Sequence, residues 1–297
     1  MDTMQLGITP FFENQCRCQA STKATTGNYD LKTVSNLCYR IGKVDGVRVE
    51  LGSCNPYSEG YKPSIALNSK NSIVEVHESN DLSSHSLHYK VGEVKESSIE
   101  WGFDVNYGNG LQPKISINDN GDVVEVHKSI DDDELYSVVG KIDLKRKIIL
   151  WGIPKKYGIG VTPTVSTNDN GLVVEAHKSS LYSKLYYHVG QIIGQEIVWG
   201  PVHKYQDGFK PDICITNDRK VVEMHESEGV SGIWRITGYV NKKNVILLCS
   251  TVYDSESNLR MEMSSNKDVA VYVHEGNVHK LKKTGKCIFR NFFELLY

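Results

Sequence analysis

The chain has 297 residues, with 34 basic and 36 acidic side chains, a net charge of −2 and 39% hydrophobic residues. That balance leaves no electrostatic footprint for a general nucleic-acid or anionic-membrane role. No apolar run approaches the ~18 residues that a membrane span requires, so none is expected.

Seven cysteines are odd in number, scattered, and mostly placed where a strand takes a small apolar residue, so they read as core hydrophobes. Met1 leads into the repeats without a basic, apolar and small-residue leader, and no Asn-x-Ser/Thr acceptor occurs. The expected location is cytoplasmic, or outside the cell after release without a secretory leader. Cys16 and Cys18 share one strand face with no second Cys or His pair nearby, so no metal site and no cofactor are expected.

In chain order, the first unit opens at Pro10 and carries Cys16-Arg17-Cys18-Gln19 in a shortened hairpin. Four regular units follow. Each opens with Tyr-x-x-Gly-x-x-Pro: Tyr57, Gly60 and Pro63; Tyr107, Gly110 and Pro113; Tyr157, Gly160 and Pro163; Tyr205, Gly208 and Pro211. An alternating run such as Lys114-Ile115-Ser116-Ile117 comes next, then a turn such as Asn118-Asp119-Asn120-Gly121. A Val-Glu-Val-His type strand follows, ending at His77, His127, His177, His225 and, in the last unit, His274. These histidines stand 50, 50, 48 and 49 residues apart. A third run ends at Gly92, Gly140, Gly190 or Gly238, and a fourth at Trp101, Trp151 or Trp199 followed by glycine. The acidic run Asp131-Asp132-Asp133-Glu134 reads as a solvated loop. The last unit lacks the proline and tryptophan and closes with Phe292-Phe293-Glu294.

Four short alternating runs separated by turn residues make one antiparallel sheet. Counting the third-run glycine, from Gly42 to Gly285, gives six such units. The predicted fold is all-β: a six-bladed β-propeller of six ~48–50-residue repeats, one domain over 1–297. The approximate repeats are 5–56, 57–106, 107–156, 157–204, 205–252 and 253–297. A small sheet cannot bury its faces alone, and radial stacking covers both while leaving only short edges. A linear β-solenoid fits less well, because its turns are shorter.

Proline, glycine and tryptophan in this pattern read as structure: a fixed φ, a tight backbone approach and a wedge between neighbours. The Glu-x-His pair asks for more. Residues two apart on a strand share a face, so Glu75 and His77 point one way while Val74 and Val76 point the other. With sheets on both sides, the pair is either a buried, mutually satisfied couple or faces a ligand at the rim of a cleft. The candidate ligand-binding set is Tyr57, Glu75 and His77; Tyr107, Glu125 and His127; Tyr157, Glu175 and His177; and Tyr205, Glu223 and His225. Tyrosine supplies a stacking plate or hydroxyl, glutamate an acceptor for vicinal hydroxyls, and histidine a donor that titrates near pH 6.

Blades of about 50 residues with the recurrent Trp-Gly at Trp101, Trp151 and Trp199 resemble the tandem-repeat β-propeller lectins. That class includes the tachylectin-like, tectonin-like and fungal fucose-binding proteins. The resemblance implies a carbohydrate-binding protein that recognises glycans multivalently through clefts between blades, without catalysis. Clustering several weak sites on one rigid face raises avidity by ~10²–10⁴. The expected partners are glycans or glycoconjugates and not nucleic acid, with an oligomer permitted but not implied. Identical repeated carboxylates argue against an enzyme, since a glycosidase needs two carboxylates in different roles. The alternative is a protein-interaction scaffold, or the receptor-binding head of a toxin or defence complex.

Overall fold

The structure is a computed structural model that describes residues 6–9, 36–45, 48–81, 83–228, 232–254, 262–266, 269–275 and 281–288. Cys16, Cys18 and the closing Phe292-Phe293-Glu294 lie outside the described residues. Among those described there is no helix, hence none long and apolar enough to cross a membrane. All strand pairings are antiparallel, as in Leu111–Ile117 with Asp122–Lys128 and Asp122–Lys128 with Glu134–Asp143.

In the units of Trp101, Trp151 and Trp199 the fourth run is split in two, whereas in the unit of His225 it is the continuous strand Asn244–Asp254. Ile148–Trp151 pairs with the second half of Glu134–Asp143, and Lys155–Ile159 pairs with its first half. After Lys155–Ile159, the chain turns at Gly160 and starts the inner strand Val161–Thr167 of the next sheet. In the following unit the two pieces fuse: His203–Ile215 pairs with Lys184–Ile193 through its first half and with Lys220–Ser227 through its second. The tyrosine of Tyr-x-x-Gly-x-x-Pro therefore lies on the outer strand of one sheet, and its proline on the inner strand of the next.

The proline has a visible consequence. Pairing shifts register at Tyr61/Ser64, Leu111/Lys114, Val161/Thr164 and Phe209/Asp212. The residue before each proline, Lys62, Gln112, Thr162 or Lys210, has φ between 45° and 57°. Proline cannot donate to the ladder and disfavours the α region before it, so a bulge absorbs the misfit at the same place each time.

Both faces of the second strand are buried, as expected for a sheet between two others. Val124 and Val126 pack with Val165 and Val173 of the next unit, and Val74 and Val76 pack with Ile115 and Ile117. Each buried Val or Ile contributes about 1.5–3 kcal/mol relative to exposure. Polar contacts set the stagger between sheets. Ser64 Oγ accepts from Ile115 N at 3.3 Å, Ser116 Oγ from Thr167 N at 3.0 Å, and Ser166 Oγ from Ile215 N at 3.1 Å. At the turns, Asn68 Nδ2 donates to Asn118 O at 3.2 Å, Asn118 Nδ2 to Asn168 O at 3.1 Å, and Asn168 Nδ2 to Thr216 O at 3.1 Å. The turns between first and second strands thus dock on one another from unit to unit.

Cys214 is fully buried, as a core residue should be. Cys54 is disulfide-bonded, so it is not a packing thiol of the kind expected for the set.

Candidate functional site

In each regular unit the tyrosine, glutamate and histidine meet. Tyr57 Oη donates to Glu75 Oε1 at 2.9 Å, Tyr107 to Glu125 at 2.9 Å, Tyr157 to Glu175 at 2.8 Å, and Tyr205 to Glu223 at 2.7 Å. The histidine Nδ1 lies between the two oxygens of the same carboxylate, at 3.1 Å from both in Glu75 and Glu175 and at 2.9 and 3.2 Å in Glu125 and Glu223. Glu75, Glu125 and Glu175 are 0% exposed and Glu223 3%. Each carboxylate is thus enclosed with donors on its oxygens, which is the condition for burying it.

The glycine of the tyrosine motif completes the arrangement. A Cβ at Gly60, Gly110, Gly160 or Gly208 would stand 2.5–2.6 Å from Cδ2 of the partner histidine. The backbone passes so close to the imidazole that only glycine fits. Trp101 and Trp151 stack on Tyr57 and Tyr107 at 5.3 and 5.2 Å between ring centroids, and Trp199 tilts over Tyr157 at 5.1 Å. Room for the indole comes from the third-run glycine, where a Cβ would lie 2.9, 2.8 or 2.7 Å from Cε3 of Trp101, Trp151 or Trp199.

Electrostatics follow from enclosure. Burial raises the Tyr107 phenol well above its ordinary value, and the Glu125 charge and hydrogen bond add to it, so it stays a donor. Tyr57, Tyr157 and Tyr205 are raised in the same way by burial and by their glutamates. For His127, burial favours the neutral ring, but Glu125 outweighs this through its charge and hydrogen bond, and the net shift is upward.

A cleft of about 340 Å³ opens on the 107–154 set, lined by Tyr107, Asn109, His127, Ser129, Asp131, Tyr136, Trp151 and Pro154 among others. Tyr136 stacks on His127 at 5.8 Å and 10°. Sequence reading missed Tyr136 as a site residue. The signal was its place four residues before Gly140, where His88, Tyr186 and Trp234 stand before Gly92, Gly190 and Gly238.

Among the described residues, two clusters have the makings of a metal site: His77, His88 and Asp104, and Glu175, His177 and His188. The second is wholly buried and its carboxylate already accepts from Tyr157 and His177. Burial keeps His188 neutral by pulling its value down, with Glu175 opposing.

No protein-family model matches the chain, and no curated protein matches it in sequence. Solved structures do match in fold. A Hadza microbial sialidase superposes with a TM-score of 0.60 at 8% identity, over 89% of this chain and 61% of that one. The α-L-arabinanase of Penicillium chrysogenum, solved with arabinobiose, superposes at 0.50 with 12% identity over 86% of both chains. The α-L-arabinofuranosidase of Fusarium graminearum, solved with an iminosugar inhibitor, gives 0.51 with 12% identity over 86% of both. The chain has a β-propeller-like fold. It spans 61% of the length of the sialidase it matches.

These neighbours correct one expectation. Repeat regularity was read as excluding an enzyme, but the fold is shared with chains named as glycosidases. The architecture therefore gives no ground for that exclusion. Four buried carboxylates already engaged by their own tyrosines and histidines say nothing about acids elsewhere in the clefts, such as Asp104 and Asp131.

Proposed function

We propose that the protein binds carbohydrate in clefts between successive sheets, and that glycans bridge several such clefts. The observation that carries this reading is the cleft over Tyr107 and His127, where the Tyr136 and Trp151 rings and Asp131 line one cavity of about 340 Å³. Aromatic plates take the apolar face of a sugar ring, while imidazole and carboxylate at the edge serve its hydroxyls. In this reading Tyr107 and His127 contact the ligand, with Tyr57 and His77, Tyr157 and His177, and Tyr205 and His225 as their equivalents. Glu125, Glu75, Glu175 and Glu223 hold those rings in place from beneath.

The finer architecture belongs to the same proposal: a ring of six blades. Its support is the order of the inner strands. Tyr61–Leu67, Leu111–Ile117, Val161–Thr167 and His203–Ile215 are successive neighbours, and Glu262–Asn266 neighbours both His203–Ile215 and Leu6–Thr9.

The test is a glycan array on the full chain, followed by titration calorimetry and by chromatography of the best glycan after incubation. A hit with several sites per chain supports the multivalent reading. One site per chain with cleavage of the glycan supports a glycosidase, and a blank array from folded protein removes carbohydrate from consideration.

A further inference from the structure

In the four regular units the second-strand histidines His77, His127, His177 and His225 are equivalent, but what faces them is not. Four residues before the third-run glycine stand Tyr136, Tyr186 and Trp234, and in one unit His88. Three residues after the Trp-Gly tryptophan stand Pro154 and Val202, and in the unit of His88 the acid Asp104. Next to the motif tyrosine stand Gly108, Gly158 and Gln206, and on this one cleft Ser58. The three departures converge on one point. Asp104 Oδ1 is 2.7 Å from His88 Nδ1, Asp104 Oδ2 accepts from the Ser58 hydroxyl, and His77 Nε2 lies 3.5 Å from Asp104 Oδ2. The position matches the cleft over Tyr107 and His127, with ligand-type side chains where that cleft has Tyr136 and Pro154.

We propose that His77, His88 and Asp104 bind one divalent transition-metal cation of the zinc class. One donor atom from each lies within 4.8 Å of the other two. Donors about 2.0–2.2 Å from a tetrahedral zinc stand roughly 3.3–3.6 Å apart, so His77 Nε2 and Asp104 Oδ2 fit at 3.5 Å, while His88 Nδ1, 2.7 Å from Asp104 Oδ1, exchanges that contact for the metal and draws back from the oxygen. Two imidazoles and a carboxylate select zinc or ferrous iron over calcium or magnesium, which take oxygen donors.

The surroundings suit a metal more than a chance contact. His77 Nδ1 is 3.1 Å from both oxygens of Glu75, which holds a ring proton at Nδ1 and leaves Nε2 facing Asp104. A carboxylate behind a ligating histidine is the common supporting arrangement of such sites. Tyr57 anchors that carboxylate at 2.9 Å. The side chain of His77 is 2% exposed, while His88 and Asp104 are 27% and 31% exposed. The site is closed below and open above, leaving a coordination position for water or a ligand oxygen.

The test is calorimetric titration of the chelator-treated full chain with Zn²⁺ at pH 7.5, alongside the visible absorption of Co²⁺ in the same site. Wild type is expected to bind one equivalent and to give a cobalt spectrum of low coordination number. His88→Tyr installs the residue its neighbours carry at this register, and should keep the fold while losing both signals. Asp104→Asn, nearly isosteric, should weaken binding by at least about 10-fold and decides the matter if His88→Tyr fails to fold. Absence of stoichiometric Zn²⁺ binding by wild type, or binding of equal strength by a folded variant, overturns the proposal and leaves a hydrogen-bonded cluster.

Discussion

Tyr107 reaches out of one sheet to donate its hydroxyl to Glu125 of the next at 2.9 Å. Tyr107 lies on Val105–Asn109, which pairs with Ser86–Val94, while Glu125 lies on Asp122–Lys128. The bond therefore ties two sheets that share no backbone ladder at that point, and His127 on the same carboxylate completes it.

Tyr107→Phe should lower stability by about 1–3 kcal/mol, since it strips a donor from a buried carboxylate. Equilibrium urea unfolding measures this. An unchanged midpoint would mean that the bond does not couple the sheets.

Gly110→Ala should cost more than a surface change. Its Cβ would meet His127 Cδ2 at 2.6 Å and Leu87 Cδ1 at 2.9 Å, and relief requires a shift worth about 1–3 kcal/mol. Gly158→Ala is the control, with no atom nearer than 3.8 Å, and should be close to neutral. Equal effects from the two would refute the close-approach argument.

Stability should fall as pH rises above neutrality. His127 has a folded value raised above its unfolded value of 6.5. Its contribution is full below about 6.5 and is lost as pH climbs through the folded value. The unfolding midpoint of wild type should thus drop between pH 6 and pH 8.5, and Glu125→Gln should flatten that drop. A parallel pH profile for the two proteins would count against this linkage.

At the acidic end, Asp104 works in the opposite sense. Burial acts to raise its value, but the Ser58 hydrogen bond, the His77 charge and the His88 contact together lower it. Its contribution is present above the unfolded value and fades as pH falls through the folded one. Asp104→Asn should therefore reduce the stability difference between pH 6 and pH 3, as followed by circular dichroism.

Tyr136→Ala should remove glycan binding at one cleft while leaving the fold intact, because Tyr136 is half-buried and stacks on His127 from the open side. Calorimetry should show one site fewer per chain. Unchanged stoichiometry would place the ligand elsewhere.

The periodic spacing of His77, His127, His177 and His225 determined the antiparallel units, because a strand sandwiched by sheets must be apolar on both faces except where polar groups satisfy one another. The glycines at 92, 140 and 190 and the tryptophans at 101, 151 and 199 were legible as structural for a related reason: a missing Cβ and a large ring recur together only where one covers the other. The sequence could also show that Glu75 and His77 share a face, since alternation is local.

What it could not show was which sheet each tyrosine belongs to. Tyr107 is 18 residues from Glu125 but pairs through the strand before it, and that partition depends on where Gly110 turns the chain. Nor could it join Ser58, His88 and Asp104, which lie 46 and 16 residues apart along the chain and meet only when two sheets pack. Local pattern fixes which way a side chain faces. The packing of one sheet on the next decides what it faces, and that is where the candidate sites are made.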